Sequence, residues 1–291
     1  MKAPSSNVQA PGFARNRALG RAAVKWLVSV AVALVFLAPL LWMVRASFTE
    51  EPRIFLPGFG GWFDGWTVGN YADAWRRAGL GRGLANSALQ VAIIAGAGLI
   101  VNAMAAYAFA RFVFRGRDVL FAGVVILIVL PIEVLAVPLF FTARDLGLTG
   151  GFGAAMAGLS VPFVAKAFNI YFLRQHFLSL PMELEEAAAI DGAGVWRQFW
   201  TLALPAVKPA LATVVLLDVL THWGDFLWPL MISTRAETRT VQLSLANLFT
   251  QPPLQWGDIL ACAVLATLPV MLLFRFFQRH IVATEARAGI K

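Results

Sequence analysis

Six apolar runs, each about the length of a bilayer-crossing helix, constrain this chain more than any other feature. They fall near Trp26–Val44, Ala88–Phe109, Val119–Phe141, Ala154–Leu173, Ala210–Trp228 and Ile259–Phe277. About 20 helical residues cross the hydrocarbon layer, and backbone polar groups there must bond internally. The runs lack the short alternating pattern of a membrane β-barrel. The chain is 59% hydrophobic and only 14% charged, with a mean hydropathy of +0.71, as expected of a polytopic membrane protein. The expected fold is all-α. A basic segment at 1–25 precedes a six-helix membrane domain at 26–291, which carries a long polar loop at 174–208.

The first run reads as a retained helix rather than a signal peptide: its apolar core is long, 25 residues precede it, and no small-residue cleavage site follows. Lysine and arginine set the orientation. With both termini in the cytoplasm, the inner pieces hold 15 of these residues and the outer pieces 8. The first outer loop, residues 45–83, carries 5 of those 8 and fits the rule least well. The net charge of +8 is explained by attraction of inner loops to anionic lipid, so no nucleic-acid partner is expected. A single cysteine, Cys262, excludes an internal disulfide and reads as a packing residue.

This orientation places 174–208 in the cytoplasm. Pro181 suits a helix start, and Glu183, Glu185 and Glu186 lie at the positive end of that helix. Ala187 to Ala189 present a small surface that a partner can approach closely. Gly192 and Gly194 are expected to loosen the chain, letting a second short helix leave at an angle. Val195, Trp196, Phe199 and Trp200 form a stripe expected to lie against the membrane helices. The acidic front argues against a helix resting on anionic lipid.

The loop contains Glu186-Ala187-Ala188, Gly192, then Leu202, Leu204 and Pro205 after nine residues. This pattern resembles the coupling motif of permease subunits in bacterial ABC importers, with Leu202 where isoleucine is usual. Further stretches resemble the carbohydrate branch of those permeases: FLRQHFLSLPMELEEAA, Asp191-Gly192-Ala193, Asn86-Ser87, Leu130-Pro131 through Pro138, WGDFLWPL at 223–230, and the tail ARAGIK. The resemblance covers about residues 85–291. It implies a type I importer permease in the bacterial inner membrane, paired with a second permease subunit. It further implies an ATPase dimer in the cytoplasm and a substrate-binding protein outside, meeting the outer loops 45–83 and 231–257. Glu186, Ala187, Ala188, Asp191 and Gly192 would contact the ATPase. ATP and Mg²⁺ would sit on that partner, and no cofactor is expected here. The implied cargo is a sugar. Glycerol phosphate remains open, because its carriers share the Pro131-x-Glu133-Val134 pattern.

No catalytic machinery is legible. There is no phosphate-cradling G-x-x-x-x-G-K-[ST] and no zinc-protease or nucleophile-elbow motif. A rival intramembrane enzyme would rest on Asp218, His222 and Asp225, spaced along one helical face without a nucleophile. A secondary transporter would show an internal repeat and broken helices, and no repeat is found. Ionisable groups at bilayer depth point inward to cavities or partners. Glu133, Asp218, Asp225 and Trp223 are the candidate solute pathway. For Glu133 and Asp218 the alternative is a buried helix–helix contact, for instance between an acid and Lys166. Asp225, Trp223 and Trp228 also read as an outer belt and gate.

Overall fold

The computed structural model describes the backbone of residues 11–56 and 65–288 and the side chains of 24–56 and 65–276. Parts of the expected basic leader (residues 1–10), of the glycine-rich outer loop (Pro57, Gly58, Gly60 and Gly61) and of the tail (Gly289 to Lys291) lie outside the described residues. Among the described residues twelve helices carry the architecture, in chain order: α1 Pro11–Ser47, α2 Gly69–Arg77, α3 Leu80–Arg111, α4 Arg117–Val129, α5 Ile132–Asp145, α6 Phe152–Ser160, α7 Ala167–Leu178, α8 Met182–Ile190, α9 Lys208–Trp223, α10 Leu227–Ile232, α11 Val241–Leu248 and α12 Trp256–Ala288. A bent helical stretch, Val195–Ala206, links α8 to α9. No β-strand occurs among the described residues.

Among the described residues, three helical segments are individually long and apolar enough to cross a membrane: Val24–Ser47, Leu80–Arg111 and Trp256–Phe276. The other expected spans are broken. Arg117–Val129 meets Ile132–Asp145 at 107° and Phe152–Phe163 meets Ala167–Leu178 at 47°, while the 77° bend between Val195–Ala206 and Lys208–Trp223 falls just before the fifth expected run begins at Ala210. If each bent pair is one span, the total is six. The uninterrupted runs expected for the third, fourth and fifth spans are thus corrected, and proline is the physical cause. Pro131 drives Leu130 to an extended ψ of 119° and cannot donate to the preceding turn. Pro162 tightens the end of α6 into a 3₁₀ turn, Val161–Phe163. Near the end of the fifth run, Pro229 has no N–H to bond the Asp225 carbonyl, so α9 stops at Trp223 and α10 restarts at Leu227.

α3 is the central mast. Its 32 residues rise about 48 Å at 1.5 Å each, and α7, α9 and α11 pack round it. Polar side chains along one flank tie other segments to it by their backbone. Asn86 donates to the carbonyls of Glu237 (2.9 Å) and Arg239 (2.8 Å). The Ser87 hydroxyl accepts the Val241 N–H at 2.9 Å. Gln90 donates to the Leu159 carbonyl at 3.4 Å. Asn102 secures the break between α6 and α7, donating to the Val164 carbonyl at 3.0 Å and accepting the Lys166 N–H at 2.9 Å. Unwound backbone at membrane depth needs such partners. Gly98 permits this approach, since a Cβ there would stand 3.0 Å from the Val164 carbonyl oxygen.

Small residues let the helices pack closely round the C-terminal part of α3. Ala103, Ala106, Ala203 and Ala210 are buried round Tyr107, Phe177 and Phe199. A second cluster joins α2, α3, α9, α11 and α12, and includes Trp223 and the fully buried Cys262. α1 lies outside this core and packs on α12. The Glu51 carboxylate accepts the N–H groups of Trp256 (2.8 Å) and Gly257 (2.9 Å), which caps the positive end of α12.

Candidate translocation cavity and coupling helix

The proline breaks of the third and fourth spans, with the unwound turn after α9, open onto one cavity of about 350 Å³. Glu133, Lys166, His222, Asp225 and Trp228 line it among apolar side chains such as Ile128, Phe163 and Leu227. Two residues of the expected pathway, Glu133 and Asp225, are therefore brought together. Asp225 arrives there because the helix unwinds, whereas a continuous fifth span would have stacked it above His222.

Asp218 and Trp223 do not line this cavity. Asp218 is buried between α7 and α9, where it accepts from Lys166 Nζ at 2.7 Å and Asn169 Nδ2 at 2.9 Å. Trp223 sits in the core cluster shared with α2 and α12 and donates its indole N–H to the Ala266 carbonyl at 2.9 Å. Trp228, by contrast, forms part of the cavity wall. Its indole N–H donates to the Gly158 carbonyl at 3.0 Å, and its ring meets Phe163 edge-on at 5.8 Å. The Asp218–His222–Asp225 face imagined for an intramembrane enzyme is dispersed: Asp218 is held by Lys166, and Asp225 has left the helix. The His222 ring nitrogens have no hydrogen-bond partner among the described residues, and the ring packs 4.8 Å from Phe163.

The expected coupling helix is α8. Pro181 precedes it, Glu183 and Glu185 occupy its first turn, and none of its residues is buried. Glu186, Ala187, Asp191 and Gly192 are exposed and Ala188 is half-buried. Ile190 is 87% exposed, with Met182 and Leu184 beside it in solvent. Small, acidic and apolar side chains therefore stand together on a projecting helix.

Gly192 does not loosen the chain, as its composition suggested. It closes α8 in the left-handed region, at φ +78°. Its N–H donates to the Ala189 carbonyl at 3.0 Å and the Ala193 N–H to Ala188 at 2.9 Å, the paired bonds of a Schellman cap. Gln198 then donates to the Ala193 carbonyl at 2.7 Å. The joint is firm rather than slack. Of the apolar stripe that follows, Phe199 is buried, against Tyr107 and Phe177, while Val195, Trp196 and Trp200 remain exposed.

Sequence reasoning missed the residue that anchors this helix. Arg111, at the C-terminal end of α3, donates from Nε to Glu185 at 2.9 Å and from a terminal nitrogen to the Leu180 carbonyl at 3.0 Å. Tyr107 donates to the other Glu185 oxygen at 3.3 Å. Arg111 is 5% and Glu185 12% exposed. An arginine closing a span reads in sequence as an interfacial anchor. Only the fold turns it toward a glutamate 74 positions away.

Comparison with known proteins agrees with this architecture. The profile of the family described as "Binding-protein-dependent transport system inner membrane component" matches residues 78–285, leaving out the peripheral α1. The chain is 32% identical over 274 residues to the diacetylchitobiose uptake system permease protein NgcG of Streptomyces coelicolor, covering 93% of this chain and 89% of that one. It is also 32% identical over 274 residues to the arabinooligosaccharides transport system permease protein AraQ of Halalkalibacterium halodurans, covering 92% and 97%. The sn-glycerol-3-phosphate transport system permease protein UgpE of Yersinia pestis is 30% identical over 249 residues, covering 81% and 85%. Among solved structures, a chain of a bacterial ABC transporter that imports alginate superposes with a TM-score of 0.76 at 22% identity, covering 96% of this chain and 99% of that one. With a family match over most of its length and the same helical architecture, the chain belongs to the inner-membrane components of binding-protein-dependent transport systems and has the type I permease fold of ABC importers.

Proposed function

We propose that this chain forms half of the translocation pathway of a carbohydrate importer and is driven by an ATPase docked on α8. The observation that carries the reading is α8 itself: a projecting helix with no fully buried residue, ending in a rigid glycine cap and tied to the mast by a nearly buried ion pair. Such a helix suits rigid-body transmission into a packed bundle. Glu186, Ala187, Ala188, Asp191 and Gly192 form the contact surface in this reading. ATP and Mg²⁺ belong to the ATPase dimer, a second permease completes the cavity, and a binding protein delivers solute from outside. Both termini then face the cytoplasm. Purification from the native membrane tests this directly. A second permease and an ATPase should accompany the chain, and the ATPase should be lost from a Glu186→Lys/Gly192→Pro double variant. Recovery of this chain alone or as a homo-oligomer would overturn the reading.

A neutral sugar is favoured over glycerol phosphate as cargo. Two of the curated relatives carry oligosaccharide names. The cavity charge agrees: Glu133 and Asp225 face it, and Lys166, the one lysine or arginine in its lining among the described residues, is already engaged by Asp218. Carboxylates accept hydroxyl hydrogen bonds well and repel a phosphate. Glu133→Gln with Asp225→Asn is expected to lower uptake of a labelled neutral oligosaccharide about tenfold or more, the cost of about 1.4 kcal/mol of lost hydrogen bonding. The complex should remain assembled on gel filtration. Undiminished sugar uptake by that variant, or faster uptake of glycerol phosphate by the wild type, would reverse the assignment.

A further inference from the structure

The outer end of α3 borders a second, more polar cleft, of about 420 Å³, lined among others by Trp75, Arg76, Arg77, Arg82 and Arg239. Two of its four arginines are engaged within the fold. Arg77 reaches Asp258 Oδ2 at 2.5 Å, Gln255 Oε1 at 3.0 Å and the carbonyls of Gln251 and Pro253. Arg76 pairs with Asp73 at 2.6 Å. Arg82 and Arg239 have no side-chain partner among the described residues. Glu237, the acid nearest in sequence to Arg239, faces Arg235 at 3.5 Å. Among the described residues the cleft thus keeps a surplus of two positive charges.

Its frame is fixed. Asn86 holds the backbone carbonyl of Arg239, and the Trp75 ring lies against Gly81, where a Cβ would fall 2.7 Å from a ring carbon. An exposed tryptophan beside unpaired arginines, on a prearranged backbone, has the composition of an interface hot spot. Guanidinium groups match carboxylates as planar forks. The cleft also accounts for part of the basic excess in the first outer loop, which runs against the usual inward bias.

We propose that this cleft receives acidic side chains of the extracytoplasmic binding protein and sets how readily that protein docks. The proposal rests on the importer reading and concerns the outer surface alone. It is tested with the whole transporter in phosphatidylcholine nanodiscs, titrating ATP hydrolysis with the binding protein crosslinked to it on intact cells. Arg82→Glu with Arg239→Glu should raise the half-saturating concentration about tenfold or more and flatten its salt dependence, as for steering charges at an interface. The maximal rate should be recovered at saturation. Arg82→Lys with Arg239→Lys should fall between, and Arg144→Glu, whose arginine pairs with its neighbour Asp145 and lies over the Phe141 ring away from the cleft, should titrate like the wild type. An unchanged half-saturating concentration in the charge-reversed variant would overturn the proposal. So would a shift seen only in discs containing phosphatidylglycerol, which would assign the cleft to lipid headgroups. A wild-type transporter that no extracytoplasmic protein stimulates would instead overturn the importer reading beneath it.

Discussion

Replacing Gly192 with proline is expected to abolish ATP-driven uptake while leaving the permease in the membrane. Proline is locked near φ −65°, whereas residue 192 stands at +78°. The substitution also deletes the N–H that bonds the Ala189 carbonyl. A left-handed non-glycine residue costs about 1–2 kcal/mol and a lost backbone hydrogen bond about 1 kcal/mol, so the cap cannot persist in its present form. Its loss swings the segment after α8 out of register with the mast. The membrane core does not depend on this turn, because residue 192 is exposed and a Cβ there meets nothing within 4 Å. Uptake and ATP hydrolysis should be measured together in reconstituted vesicles. Hydrolysis without uptake would identify the turn as the joint of a lever. Gly192→Asn, which tolerates the left-handed region, should retain most uptake. Normal transport by the proline variant would end the lever interpretation.

Breaking the Arg111–Glu185 pair is the second change of large expected effect. Both groups are nearly buried and the contact is 2.9 Å. Removing one partner of such a pair costs about 3–5 kcal/mol, because the other is left charged and unsolvated. Arg111→Ala also strips the Leu180 carbonyl of its donor and leaves α8 without its ionic tie to α3. The ATPase should dissociate from the purified complex at least tenfold more readily, at about 1.4 kcal/mol per decade, with a lowered melting temperature. Tyr107→Phe should cost far less, since its bond to Glu185 is long, at 3.3 Å. The exchanged pair, Arg111→Glu with Glu185→Arg, separates a specific strut from general damage: partial recovery of ATPase retention is expected. If Arg111→Ala alone keeps both its ATPase and its melting temperature, the strut assignment fails.

Much of this molecule was legible in one dimension because hydrocarbon imposes a one-dimensional rule. A helix must be apolar along its length to lie in lipid, so composition and run length disclosed a helical membrane protein. The Glu186–Gly192 spacing and Pro205 disclosed its kinship. The proline breaks were visible as residues but not as bends, because a proline in a membrane helix either kinks it or ends it, according to what the neighbours offer. At Val164 to Lys166 the neighbour is Asn102, and its side chain can satisfy the freed backbone only once α3 is packed alongside. The sorting of the acids was settled in the same way. Asp218 and Glu133 look alike in sequence, yet Lys166 and Asn169 enclose the first while the bend after Leu130 aims the second into a cavity. Gly192 reads as slack in the chain and is a fixed cap, since backbone hydrogen bonds decide which of glycine's many conformations is kept. Local chemistry determined which segments are apolar enough to enter a membrane and which helix is left exposed. Tertiary structure alone decided which charges pair, which face the cavity, and how α8 is joined to the mast, because those outcomes depend on partners 49 to 74 residues apart.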